Sequence, residues 1–256
     1  MSAVAPLAEV FTSFQGEGPL VGVRQLFVRV RGCDLTCRYC DTRAARQLTG
    51  ACRVEQQAAS GDWLELPGSL TAEEVLSAAG LDVTAESPTR PLPLHSMALT
   101  GGEPLLYPDF ALSLAQAARR LGLGAYLETA GHRPEELEAV IGAFDYVSMD
   151  FKLASTLQVP VPAERFVHSY EVAQKTQVWL KMVVTGDTCA CEVAEACAAL
   201  AQVSPRGPLI LQPVTPLDCG LPAPNPAKLH ELYEAAASFL EDVRVIPQCH
   251  RLLGIL

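Results

Sequence analysis

An α/β fold built on parallel strands is predicted by two observations. Strand-like and helix-like segments alternate from residue 24 to residue 246, which implies parallel strands joined by right-handed crossovers. The count, about six such units, is too small for a closed eight-stranded barrel. A partial, open parallel β/α barrel or a doubly wound sheet remains. In both, ligands gather at the C-terminal ends of the strands.

Residues 24–31 (RQLFVRVR) alternate as a strand, with Leu26, Val28 and Val30 on one face. Further strands are expected at 94–99, 125–128, 146–149, 178–184, 208–212 and 243–246. Thr71 and Glu74 form a capping box ahead of Val75 and Leu76. Residues 108–121 carry apolar residues at helical spacing and stop before Gly122. Pro134 stands at a first-turn position before residues 135–141. Residues 189–203 and 226–240 complete the helices. Residues 43–93 read as an irregular crossover, not a second domain, so 1–256 is expected to be one domain.

The chain has 256 residues and a formal net charge of −10. That balance works against binding phosphate backbones, because cationic side chains supply most of that affinity. No Lys/Arg run offers a membrane anchor. No uncharged apolar stretch approaches the ~20 residues needed to span a bilayer. The first basic residue is Arg24, so no charged targeting region precedes it. Nine cysteines in 256 residues fall well below the roughly 8–10% of secreted disulfide scaffolds. A cytoplasmic chain with reduced thiols is expected, and neither nucleic acid nor membrane is an expected partner.

The chemistry concentrates in GCDLTCRYCDT, where Cys33, Cys37 and Cys40 follow the first strand with C-x3-C-x2-C spacing. Three thiolates on one loop can hold an iron–sulfur cubane and leave its fourth iron open. Structural zinc is the rival, but zinc prefers four closed ligands in paired knuckles, and no second knuckle exists. Thr100-Gly101-Gly102-Glu103-Pro104 follows the next strand of the parallel series. Its glycines permit close approach of a ligand to the backbone. Its carboxylate could pair with an ammonium group. No Ser-His-Asp or paired-carboxylate machinery stands out.

These motifs resemble the radical S-adenosylmethionine (SAM) superfamily. FTSFQGEG at 11–18, the Cys40-Asp41-Thr42 ending and Pro247-Gln248-Cys249-His250 are similar to the 7-carboxy-7-deazaguanine synthase family within it. The activases of glycyl radical enzymes share part of the pattern and are the alternative. The Pro-Gln-x-His tail argues for the synthases. The resemblance implies the partial barrel, a 4Fe-4S cluster on Cys33, Cys37 and Cys40, SAM as a catalytic cofactor, and Mg2+ on the Thr42 hydroxyl. It implies contraction of 6-carboxy-5,6,7,8-tetrahydropterin to 7-carboxy-7-deazaguanine with loss of ammonia. A flavodoxin- or ferredoxin-type electron donor and a homodimer are implied as well.

By the same resemblance, Tyr39, Cys40, Asp41, Gly102, Glu103, Glu128, Ser148, Asp150, Lys152 and Gln212 lie along SAM. Phe14, Gln15, Gly16, Arg29, Thr100, Gln248 and His250 meet the pterin, with backbone groups and the Gln15 amide reading its hydrogen-bonding edge and Arg29 facing its carboxylate. Met149 departs from the Ser-Pro-Lys run common in the family. Read as residues alone, Thr42 is a helix cap, Arg29 a surface strand arginine and His250 a surface or packed residue. Cys189, Cys191 and Cys197 face different sides of a helix and read as ordinary helix cysteines. Cys52, Cys219 and Cys249 are isolated.

Overall fold

The computed structural model describes residues 3–81, 93–216 and 220–255. The chain enters through β1 (Val4–Phe14), which pairs antiparallel with β2 (Arg24–Val30). Three short strands follow, β3 (Cys52–Glu55), β4 (Trp63–Leu66) and β5 (Ser69–Thr71). Next come β6 (Ser96–Gly101), β7 (Gly124–Thr129), β8 (Tyr146–Asp150), β9 (Gln177–Val184), β10 (Leu209–Pro213) and β11 (Val243–Val245). They form one open sheet in the order β11-β10-β9-β8-β7-β6-β2-β1-β3-β4, with β5 beside β1. From β2 through β6 to β11 every neighbouring pair is parallel.

The helices are α1 (Ala72–Ala78), α2 (Pro108–Arg120), α3 (Pro134–Val140), α4 (Ala163–Ala173), α5 (Ala190–Ala201), α6 (Pro226–Ala237) and α7 (Cys249–Leu253). The Thr71–Glu74 capping box starts α1 as expected. All seven expected parallel strands form.

Three departures have physical causes. β1 was not expected, because Pro6 and a bulge between Leu7 and Glu9 break its period of two. β3, β4 and β5 are only three or four residues long, and they extend the sheet through a crossover whose composition signals loops. α4 and α7 were also unanticipated. Pro160 and Pro162 mask the first, and five residues are too few for a helical period in the second.

Alternation along the parallel strands divides the molecule into two faces. Leu26, Val28, Met97, Leu99, Leu127, Met149 and Leu180 point outward into the main core beneath the helices. Fully burying such a side chain stabilises the fold by about 1.5–3 kcal/mol. Phe27, Ala98, Tyr126, Trp179 and Ile210 point inward, where Phe11 joins them and stacks on Phe27 at 5.1 Å. This apolar floor fills the lower half of the concave face. The next inward positions are polar on β2 and on β6 to β10: Arg29, Thr100, Glu128, Ser148, Lys181 and Gln212. Register holds them side by side, with Arg29 opposite Thr100, Glu128 opposite Ser148 and Asp150 opposite Lys181.

Candidate active site

The polar ring and the loops above it enclose a cleft of about 210 Å³ at the C-terminal strand ends. The cysteine loop enters it with Cys33, Cys37, Tyr39, Cys40, Asp41 and Thr42. The turn after β1 brings Phe14, Gln15 and Gly16. The strand ends bring Arg29, Thr100, Gly102, Glu128, Ser148, Asp150, Lys152 and Gln212. Gln248 and His250 come from the start of α7. All the expected site residues but Glu103 therefore face one cleft.

The cysteine loop is held from several sides. Gly32 N donates to Ala45 O at 2.8 Å, and Arg38 N donates to Thr156 O at 2.9 Å. Cys37 bridges to Leu157. Asp34 accepts from His132 Nε2 at 3.0 Å and from Arg133 at 2.7 Å. Gly102 passes so close beneath that an added Cβ would fall 1.8 Å from Gly32 O. The three thiols are free and partly exposed. Leu35, Ala130 and Leu157 form an apolar wall against Cys33 and Cys37. Burial pushes the Cys33 thiol up to about 11, and it also raises that of Cys37, where Lys152 partly offsets it.

Four charges alternate along one wall. Lys152 Nζ lies 2.5 Å from Asp150 Oδ2, and Asp150 Oδ1 lies 3.4 Å from Lys181 Nζ. Lys181 in turn lies 2.5 Å from Glu17 Oε2. Lys152 also sits over the Tyr39 ring at 5.2 Å. Burial would raise the Glu17 carboxyl, but Lys181 and Gln248 hold it down at about 2. Burial disfavours the charged forms of Lys152 and Lys181, yet Asp150 and the other anions nearby raise both above the ordinary lysine value.

Amides complete the wall. Gln212 and Gln248 donate to Glu17 Oε1 at 3.1 and 2.9 Å, and Gln248 also donates to Asp41 at 3.0 Å. Thr215 fixes Gln248 by donating to its Oε1 at 2.6 Å. The tail is clamped to the front loop, since Cys249 N donates to Gly16 O at 2.8 Å. His250 packs on Gly16 so tightly that a Cβ there would lie 2.3 Å from Nδ1.

On the opposite side, Thr100 donates to Glu128 Oε2 at 2.7 Å and Gln15 donates to Oε1 at 3.0 Å. Arg29 Nε pairs with Glu9 at 2.9 Å, and its guanidinium lies 5.8 Å from the Phe11 ring centroid. No partner among the described residues takes the two terminal nitrogens of Arg29. The buried Gln212 Oε1 is likewise unpartnered among the described residues.

Some expectations need correction. Glu103 does not line the cleft. Its carboxylate is fully buried and accepts from Leu105 N at 2.9 Å, Thr129 Oγ1 at 2.8 Å and Ala130 N at 2.7 Å. The Gln15 amide is also spent within the protein, donating to Gln25 at 2.9 Å and to Glu128, and accepting from Glu17 N at 3.0 Å. Its side chain shapes the loop, and backbone groups are left to face a ligand. Thr42 stands at the cap of a short 3-10 turn but makes no capping bond. Cys189 and Cys191 are joined by a disulfide at the start of α5, where both are expected to be ordinary helix cysteines; only Ala190 stands between them, and the Cys189 cap brings its sulfur toward Cys191. Cys219 lies outside the described residues.

Glu17 and Lys181 were missed. Glu17 lies within the quoted QGEG box, and Lys181 is the single charge in the apolar strand QVWLKMVV. A lysine inside such a strand is the signal that could have found it, because buried charge needs a partner.

The model of the radical SAM superfamily matches residues 27–176. The chain is 38% identical to the 7-carboxy-7-deazaguanine synthase of Geobacter sulfurreducens, with 98% of each chain covered. It is 34% identical to that of Methanothermobacter thermautotrophicus, again with 98% of each covered. The chain belongs to the 7-carboxy-7-deazaguanine synthase family of the radical SAM superfamily. The fold matches the crystal structure of QueE from Escherichia coli with a TM-score of 0.59 at 19% identity, covering 96% of this chain and 95% of that one.

A radical SAM protein carries a 4Fe-4S cluster and uses SAM, and the residues present fit both. Among the described residues no three acidic, histidine or cysteine groups converge on one ion. A cubane does not require it, because each thiolate meets a different iron. Three free cysteines on one loop, an apolar wall behind them and the close Gly102 backbone supply the seat. No helix among the described residues is long and apolar enough to cross a membrane.

Proposed function

We propose that the chain converts 6-carboxy-5,6,7,8-tetrahydropterin to 7-carboxy-7-deazaguanine with release of ammonia. The observation that carries this reading is the convergence of the cysteine loop, the 14–17 turn and the 248–250 tail on one cleft, in a chain alike over its length to synthases of that name. No observation favours the activase reading.

A bound cluster and SAM would supply one-electron radical chemistry, and the protein's part is to hold the reacting atoms and exclude competing reactions. Cys33, Cys37 and Cys40 would hold the cluster. Gly102 offers backbone to SAM, while Asp150 and Lys152 offer opposite charges to its ammonium and carboxylate ends. Tyr39, Ser148 and the free Gln212 carbonyl line the same path. Arg29 takes the pterin carboxylate through its free nitrogens, a planar match to two oxygens. Glu17 and Glu128 face the pterin as hydrogen-bond acceptors, and Gln248 and His250 close over it. Thr42, free of any capping duty, offers its hydroxyl to Mg2+, which keeps waters as its other ligands. A single domain, a homodimer and a cytoplasmic location complete the reading.

The test is anaerobic turnover of the reconstituted chain with the carboxylated pterin, SAM, Mg2+ and a reductant, followed by mass spectrometry. The expected product is the deazaguanine acid with SAM recovered. SAM cleavage with the pterin left intact would reject the substrate but keep the radical chemistry.

A further inference from the structure

The bulge in β1 decides where Glu9 goes. Ala5, Leu7 and Val10 lie in the main core, while Phe11 lies on the apolar floor of the concave face. With an unbroken period of two, Glu9 would share the face of Leu7 and enter that core. The register shift between Leu7 and Glu9 turns it onto the face of Phe11, directly opposite Arg29. Bulges recur beside functional clefts because they re-aim a side chain in this way.

Glu9 thereby stands between two arginines. Register places Arg29 of β2 on one side of it and Arg53 of β3 on the other. Arg29 donates from Nε to Glu9 Oε1, and Arg53 donates to Oε2, each at 2.9 Å. Arg53 is anchored in turn, with its guanidinium 4.8 Å from the ring centroid of Trp63 on β4. The short strands of the irregular crossover thus brace a residue of the cleft from behind. Of these four side chains only Arg29 lines the cleft. Glu9 grips its fork at Nε and leaves both terminal nitrogens without a partner among the described residues.

Two effects of Glu9 on an incoming carboxylate oppose each other. Its own negative charge repels the anion. Its grip fixes a long side chain in one orientation, which two parallel hydrogen bonds require. Arg53 offsets the first effect by sharing the Glu9 charge, so the three groups together carry +1. The second effect is left to dominate.

We propose that Glu9, braced by Arg53 on Trp63, is a positioning residue that locks the Arg29 fork at the angle a carboxylate needs. It thereby sets the preference for a carboxylated pterin over one lacking that group. The proposal rests on the pterin reading given above.

The test compares the Kd of 6-carboxy-5,6,7,8-tetrahydropterin with that of tetrahydropterin. Calorimetry is run on the chain loaded with cluster and SAM, without reductant, in about 0.5 M salt, where exposed charges are screened. Wild type should favour the carboxylated ligand. Glu9→Ala should cut that preference about tenfold or more, with the Kd of tetrahydropterin within about twofold of wild type. Glu9→Gln should restore most of it, because the amide oxygen still accepts from Arg29 Nε. Arg53→Met keeps an apolar chain over Trp63 but loosens Glu9, and should cut the preference about two- to fivefold. That variant lies outside the cleft and carries the comparison if Glu9→Ala does not fold. An unchanged preference in the variants would overturn the proposal, and so would a raised one in Glu9→Ala, which would show charge prevailing over angle. Equal weakening of both ligands would overturn it too, by marking Glu9 as a fold residue only. A wild type that binds the two ligands alike, or neither, rejects the substrate reading and the proposal with it.

Discussion

Lys181 and Glu17, 164 residues apart, close a 2.5 Å ion pair between β9 and the turn after β1. The pair brings the front loop onto the strand ends, and Gln212 and Gln248 then share the same carboxylate. The front loop, already held by the Gln15 amide and the Cys249 N–Gly16 O bond, is thereby fixed by charge as well.

Glu17→Gln should therefore destabilise the fold by about 1–3 kcal/mol, because Lys181 loses its shorter contact and keeps only Asp150. The Glu17 carboxyl is held at about 2 against an ordinary 4.5. Its folded pKa is depressed, so its contribution is complete above pH 4.5 and is lost as pH falls toward 2. Thermal denaturation between pH 6 and 3 checks this. The variant should lose less stability over that acid range than the wild type, and parallel curves would reject the pairing.

Arg29→Lys should raise the pterin KM by roughly 10–100-fold, since an ammonium cannot grip a carboxylate through two parallel bonds. SAM cleavage without pterin should be unchanged. Steady-state kinetics beside an uncoupled cleavage assay gives the answer, and an unaltered KM would return Arg29 to a purely structural pair with Glu9.

Gly102→Ala should strip the protein of iron. The new Cβ would fall 1.8 Å from Gly32 O and 3.2 Å from the Cys33 Cβ, and backbone at that distance must move. Iron and sulfide assays after reconstitution measure the loss, with far-ultraviolet circular dichroism as the control for folding.

Thr42→Ala separates two uses of one hydroxyl. Because the side chain makes no capping bond, stability should change by less than about 0.5 kcal/mol. The response of turnover to added Mg2+ should weaken. A variant with the parent's metal response would remove Thr42 from the proposed Mg2+ site.

Glu103→Ala should unfold the protein more readily while sparing SAM affinity. It leaves Leu105 N, Ala130 N and the Thr129 hydroxyl without their acceptor, a loss of about 2–5 kcal/mol. Calorimetric melting and SAM titration of the folded fraction distinguish this from a direct SAM contact, which would weaken binding as well.

The parallel strands were legible from alternation in RQLFVRV and from near-continuous apolar runs such as QVWLKMVV. The cysteine loop was legible because its spacing is local. β1 was hidden by its bulge, and α4 by the prolines before it. The Glu17–Lys181 pair could not be read, since an ion pair spanning 164 residues leaves no period in either segment. Glu103 was misdirected for a related reason. Its motif tells that the chain turns there, and the left-handed φ of +135° at Gly101 decides which way.

The row Lys152–Asp150–Lys181–Glu17 holds two positive and two negative groups, so the inner wall sums to zero. A zwitterion can enter by exchanging one neighbour for another, without importing counterions. Buried pairs feel dissolved electrolyte weakly, whereas the exposed Arg38 and Arg43 of the cysteine loop feel it fully. Raising ionic strength should thus leave occupancy of the cleft nearly constant.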